Sequence, residues 1–192
     1  MSVLQKFLGA IGVPGMQNNS ANVGYFYGLT IGPGGISNAG SSVGTDTTIT
    51  AIGNVSTYAP TAAQSGTTFL LNRAAGTTVT LPAPVVGAKY TFLVTAAVTS
   101  NSYKIITDAG TTFMQGIEIA GLIATALGDS ELFQGNGTSH LSFNMNGTTT
   151  GGLIGTRISL VCVASSATPS GLWQVEALNF GSGTLATSFG TS

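Results

Sequence analysis

Apolar and polar side chains alternate with a period of two, in short runs cut by turn residues, and this pattern constrains the chain more than any other feature. Tyr90, Phe92, Val94, Ala96 and Val98 share one side of an extended run. Leu141, Phe143 and Met145 do so in a second, opposite His140, Ser142 and Asn144. In a third, Trp173, Val175 and Ala177 oppose Gln174 and Glu176. A strand sends successive side chains to opposite faces, so each run buries one face and offers the other to water or to a partner.

The same signature predicts strands at 47–52, 67–72, 77–81, 89–98, 103–107, 113–120, 122–126, 140–145, 156–164, 172–178 and 184–189, separated by breakers such as Pro82, Pro84, Asn101, Gly110, Asn136-Gly137, Asn146-Gly147, Pro169 and Gly171. Only residues 117–127 would tolerate a helix as readily, and strand is expected there. Many short strands with frequent turns predict an all-β body at 46–192, an antiparallel β-sandwich or barrel of jelly-roll-like type. No internal repeat of fixed period is visible, which argues against a solenoid or a propeller.

Residues 1–45 read differently. From 13 to 45 there is no charge, Gly recurs at 15, 24, 28, 32, 34, 35, 40 and 44, and Tyr25, Phe26, Tyr27, Leu29 and Ile31 are interspersed. Glycine disfavours a helix, while disordered tails usually avoid aromatics. An extended, Gly-rich N-terminal arm ordered by its neighbours fits both facts. Residues 1–12 place Val3, Leu4, Phe7, Leu8 and Ile11 at helical spacing, which reads either as a frayed terminus or as a short helical anchor. The candidate partner-binding residues are Phe7, Leu8, Tyr25, Phe26, Tyr27, Leu29 and Ile31.

Composition narrows the function. Charged residues make up 6% of the chain, against about 25% in ordinary soluble domains. Thr, Ser, Asn and Gly take their place, and hydroxyls and amides are far cheaper to desolvate than charges. Such a surface suits permanent burial against other subunits, and a net charge of −1 gives little repulsion between copies. Five scattered Lys and Arg form no basic stripe, so nucleic acid is not an expected partner. No run of about 20 apolar residues predicts a membrane span. Met1 to Gly12 offers a single Lys6 before a weak apolar run, so synthesis in a cytoplasm without export is the simpler expectation.

The raw materials of catalysis are sparse. His140 is the single imidazole and is expected on the polar face of its strand. Cys162 alternates with Ile158 and Leu160 as a small buried hydrophobe. Among the acids only Asp129 and Glu131 lie close together, and they read as loop residues rather than as a glycosidase pair or a calcium loop. Zinc ligands are not clustered. Gly32-Pro33-Gly34-Gly35 and Gly151-Gly152-Leu153-Ile154-Gly155 lack the Lys-Ser/Thr ending of a phosphate loop. No enzyme activity, cofactor or metal is expected.

Several segments resemble one known family. They are Thr77-Thr78-Val79-Thr80-Leu81-Pro82-Ala83-Pro84 with Gly87 and Tyr90-Thr91-Phe92, and Asn146-Gly147-Thr148-Thr149-Thr150-Gly151-Gly152-Leu153-Ile154-Gly155-Thr156 running into the next strand. Trp173-Gln174-Val175 and the ending Gly183-Thr184-Leu185-Ala186-Thr187-Ser188-Phe189 complete the set. Over somewhat more than half its length the chain resembles the capsid decoration (cement) proteins of tailed bacteriophages. The resemblance implies a β-rich protein on the exterior of the virion, assembled in the host cytoplasm as a homo-oligomer, a trimer at three-fold positions, and bridging subunits of the major capsid protein. The alternatives are a phage tail, fibre or baseplate protein that binds a receptor or carbohydrate, a shell-forming coat protein, and, last, a depolymerase.

Overall fold

The computed structural model describes residues 36–38, 41–43, 48–123, 129–165 and 170–192. The chain divides into two units, Met1–Asp46 and Thr47–Ser192. In the first, β1 (Ile36–Asn38) and β2 (Ser41–Val43) pair as antiparallel neighbours. Residues 1–12, read either as a frayed terminus or as a short helical anchor, and most of the arm expected at 1–45 lie outside the described residues.

Among its described residues the second unit is all-β apart from one 3-10 turn at Ala62–Gln64, and its strands form two mixed sheets. It begins by crossing between them. β3 (Ile49–Ala51), β5 (Thr68–Leu71) and β7 (Lys89–Val94) run parallel in the larger sheet, while β4 (Thr57–Tyr58), β6 (Thr78–Thr80) and β8 (Tyr103–Ile106) run parallel in the smaller one. Residues 48–106 therefore wind as three rungs of a coil. Thr50, Phe69 and Phe92 stand in one column, and Tyr58, Val79 and Ile105 in another. Their unequal spacing along the chain explains why no fixed period is visible in the sequence.

The corners of the coil are stitched by side chains. Asn72 Oδ1 accepts the Gly53 N–H at 3.1 Å. Arg73 Nε donates to Asn54 Oδ1 at 3.1 Å, and its Nη1 donates to the carbonyls of Ala75, at 3.1 Å, and Gly76.

After the coil come β9 (Thr112–Leu122), β10 (Ser130–Asn136), β11 (Ser142–Met145), β12 (Arg157–Ala164), β13 (Gly171–Gly181) and β14 (Phe189–Gly190). The larger sheet has the order β10-β9-β13-β12-β7-β5-β3 and the smaller β14-β11-β8-β6-β4. The expectation of an antiparallel body is thus corrected in part. Pairs β9–β10, β7–β12, β12–β13, β8–β11 and β11–β14 are antiparallel, but the coil rungs and the pair β9–β13 are parallel. For the rungs the physical reason lies in the coil: each turn sends the chain to the opposite sheet, so each return strand repeats its predecessor's direction instead of reversing it.

The two sheets share one core. The larger contributes Phe69, Tyr90, Phe92 and Trp173 and the smaller Val79, Tyr103, Ile105, Phe143 and Met145, all of them buried. Phe69 stacks on Phe92 with ring centroids 5.5 Å apart, and Tyr90 tilts against Trp173 at 5.7 Å. Each such aromatic pair contributes about 0.5–1.5 kcal/mol beyond simple area burial. Tyr103 and Tyr90 bury their rings yet satisfy their hydroxyls on the carbonyls of Ala96 and Thr61, at 2.9 and 3.1 Å.

Three predicted strands change, the first being the one expected at 89–98, which ends as β7 at Val94. In the segment expected at 122–126, Leu122 ends β9 and residues 124–128 lie outside the described residues. The segment expected at 184–189 forms a strand only where β14 begins at Phe189; its remainder is a tail in which the Ala186 amide donates to the Thr149 carbonyl, the Ser188 carbonyl accepts from the Asn144 amide, and Ser188 donates to Glu118. β10 forms where no strand was expected.

Candidate functional site

β9 is where the site is decided. Thr112, Met114, Glu118 and Ala120 point inward and are buried, whereas Ile117 and Ile119 point outward. A carboxyl group is therefore inside while two isoleucines face solvent. Glu118 is held there by three donors: Asn179 Nδ2 at 2.7 Å and Ser188 Oγ at 2.6 Å reach its Oε1, and the Ser188 N–H reaches its Oε2 at 2.9 Å. Asn179 extends the network, its Oδ1 accepting from Gly152 N at 3.0 Å and Thr156 Oγ1 at 3.2 Å. Every member is paired, which is what makes a buried polar cluster tolerable.

With Glu118 fixed inward, strand parity places an apolar row on the outer face of the larger sheet. The register aligns Leu132 (β10), Ile119 (β9), Leu178 (β13), Arg157 (β12), Leu93 (β7), Leu70 (β5) and Ala51 (β3) across all seven strands. Leu132 is 66% exposed, and Ile119 and Leu178 are 47% exposed each. The neighbouring row carries Ile117, Glu176 and Ser159. A groove of about 330 Å³ runs between Ile117, Ile119, Arg157, Glu176 and Leu178, and a second of about 470 Å³ lies between β9 and β10 beside Leu132. Contiguous apolar surface of this kind marks an interaction site more often than scattered exposed residues do.

The catalytic candidates are not brought together. His140 precedes β11 and is half-buried; its Nδ1 accepts the Asn136 N–H at 3.1 Å and its ring stacks on Phe189 at 5.5 Å. It closes a loop and does not sit on an exposed strand face. That loop has a counterpart at the other end of β11. Asn136 Oδ1 accepts from the amides of Thr138 and Ser139, and Asn146 Oδ1 from those of Thr148 and Thr150, with Gly137 and Gly147 at φ +70° and +83°. Cys162 is buried on the inner face of β12, and burial pushes its thiol pKa up, away from the thiolate a nucleophile needs.

Asp129 and Glu131 are both exposed, but Glu131 lies on β10 opposite Ala120, so the expectation of two loop acids holds only for Asp129. The Gly151-Gly152 turn directs the Gly152 amide onto Asn179, while Gly32-Pro33-Gly34-Gly35 lies outside the described residues. Among the described residues no group of three or more His, Cys, Asp or Glu could hold a metal ion, and no helix is long and apolar enough to cross a membrane.

Phe7, Leu8, Tyr25, Phe26, Tyr27, Leu29 and Ile31, the partner-binding candidates, lie outside the described residues. The outward-facing Leu132, Ile119, Leu178 and Ile117 are the residues that sequence reasoning missed. Their signal was the alternation itself, which assigns two faces to β9 without saying which one is buried. Compared with protein-family models, curated proteins and solved structures, the chain gives no match.

Proposed function

We propose that this chain is a structural, non-enzymatic virion protein: a capsid decoration protein with a sandwich-type body that binds the exterior of a phage head as a homotrimer. It bridges neighbouring subunits of the major capsid protein, needs no cofactor, and joins the virion in the host cytoplasm. The observation that carries this reading is the row of exposed apolar side chains, Leu132, Ile119 and Leu178, on the outer sheet face, set in a surface nearly free of charge. Burying that face releases water from apolar side chains and strips hydration from few ions. The resemblance in the segments from Thr77 onward supplies the phage head as the place, and an arm at 1–45 would add contacts remote from the body and raise the effective concentration of a weakly held subunit.

The competing reading, a fibre or baseplate module that binds carbohydrate, loses support from Trp173. The chain's single tryptophan is fully buried against Tyr90 and offers no platform on which a sugar could stack. The test is to add the purified full chain to undecorated heads of the phage that encodes it. Saturable attachment, visible as ornaments at symmetry-related positions in electron micrographs, is the expected result. Protein that stays in the supernatant while the heads remain intact would refute the proposal.

A further inference from the structure

We propose that the free edge of β10 receives a strand from a second copy of this chain, the segment 23–31 adding to it as an antiparallel neighbour. The inference rests on the proposed role as a self-assembling subunit and names the contact that joins the copies.

The ladder fixes which backbone groups of β10 are open. Leu122 N donates to the Asp129 carbonyl at 2.9 Å and Gly137 N to the Met114 carbonyl at 3.0 Å, and the register between them is unbroken. Hydrogen-bonded pairs recur at every second residue of an antiparallel ladder, so Glu131, Phe133 and Gly135 turn their N–H and C=O groups toward β9. Those of Leu132 and Gln134 point the other way, and β10 is the last strand of its sheet. Side chains close the two ends of the edge. Asp129 Oδ1 accepts the Ser130 N–H at 2.9 Å, and His140 Nδ1 accepts the Asn136 N–H at 3.1 Å. The window between them, centred on Phe133, stays open.

Sheet edges are ordinarily blunted by shortness, by lysine or proline, or by a bulge. The other edges of the two mixed sheets are short, with 3 residues in β3 and 2 each in β4 and β14. β10 has 7 residues, contains neither Lys nor Pro, and pairs with β9 without a bulge. It is the edge on which a strand can be added.

The sequence contains a matching strand. In 23–31, Val23, Tyr25, Tyr27, Leu29 and Ile31 alternate with Gly24, Phe26, Gly28 and Thr30, and none is charged. Tyr27 opposite Leu132 and Tyr25 opposite Gln134 can each exchange both backbone bonds with their partner. The same register sets Phe26 opposite Phe133 as an aromatic cross-strand pair. It also sets Gly24 opposite Gly135, whose inner face the Phe189 ring occupies. The large side chains then continue the row of Leu132, Ile119 and Leu178 by one more strand.

Position selects a second copy as the donor. The chain enters its own body at β3, the opposite edge of the same sheet, about 29 Å from β10 at about 4.8 Å per strand. A donated segment and a receiving edge are different surfaces, so the contact runs head to tail and closes into a ring, as a three-fold oligomer requires.

The test uses the full chain in solution, with no shell present. In the wild-type oligomer the Leu132 and Gln134 amides should exchange with solvent about a hundredfold more slowly than exposed amides, although both face away from β9. Gln134→Pro removes an outward donor and leaves the bonds of Phe133 and Gly135 to β9 in place, a position where an edge tolerates proline. Sedimentation equilibrium should show association weakened about a hundredfold. Tyr27→Pro, a change outside the body, should weaken it as much, and it decides the matter should Gln134→Pro melt early. Mixed together, the two variants should associate, because the intact segment of the first fits the intact edge of the second.

A monomeric wild type, rapid exchange at Leu132 and Gln134 in the oligomer, an unchanged mass for either folded variant, or no association in the mixture would each overturn the proposal. Slow exchange of both amides in a monomer would assign the edge to the chain's own segment. Variants that behave as expected, with a wild type that does not attach to heads, would refute the decoration role alone.

Discussion

Glu118 receives hydrogens from Asn179 Nδ2, Ser188 Oγ and Ser188 N, and those bonds tie β9, β13 and the C-terminal tail at one buried point. In Glu118→Gln one acceptor becomes an NH₂ group, and whichever way the amide turns, a donor then meets a donor. A loss of about 1–3 kcal/mol is expected from one such mismatch in a buried network, read as a lower urea midpoint at unchanged slope. An unaltered midpoint would mean that the network does not set the orientation of β9. Cys162, Tyr90 and Tyr103 carry a second prediction at this scale. Burial raises the pKa of all three, most directly by excluding water from the ionised form. The unfolded chain then loses protons at a lower pH than the folded one, so it binds fewer protons in alkaline solution and stability falls as pH rises. Thermal midpoints should be insensitive to these groups near neutrality and decline above the normal thiol range, about pH 8.5, and further above the phenol range, about pH 10. Cys162→Ala should remove the earlier part of that decline.

The strands show where sequence reading succeeds and where it stops. Runs with a clean period of two were legible: β7, β11, β12 and β13 bury Tyr90 and Phe92, Phe143 and Met145, Ile158 and Leu160, Trp173 and Val175 on the faces the alternation assigns. β9 was legible as a strand but not in its orientation. Judged by hydrophobicity, Ile117 and Ile119 belong inside; what turns them out is a carboxyl whose partners, Asn179 and Ser188, lie 61 and 70 residues away in sequence. β10 was hidden by Glu131, Gly135 and Asn136, residues that discourage strands locally yet are tolerated at a sheet edge beside β9. Gly116 also acquires meaning only from its neighbour. It lies at φ +132°, and a Cβ there would run into the Val175 carbonyl across the parallel pair β9–β13. Gly116→Ala should cost several kcal/mol, roughly 4 or more, as a backbone clash at a residue held outside ordinary L-residue geometry, and circular dichroism melts would show it. A loss below about 1 kcal/mol would mean that β9 and β13 separate readily at this point.

At the scale of the molecule, the division into the units Met1–Asp46 and Thr47–Ser192 yields the last prediction. Among the described residues the shared core runs from Ile52 to Phe189, and both mixed sheets are built from strands within Thr47–Ser192. The coil closes its corners with Asn72 and Arg73, and the tail closes the other end on Glu118, so the hydrogen bonds that define the body also come from within it. Deleting residues 1–45 should therefore leave a cooperative unfolding transition within about 0.5 kcal/mol of the full chain, the usual range for changes that touch no core or buried network. Attachment to heads should fail at the same time, because the neutral aromatic segment around Tyr25, Phe26 and Tyr27 is the part proposed to reach a neighbour, and losing it removes a second point of attachment. The two measurements test different things. A large loss of stability would show that the first unit completes the fold, whereas an unchanged melt with full attachment would place the shell contact on the body and leave the arm without the role proposed for it.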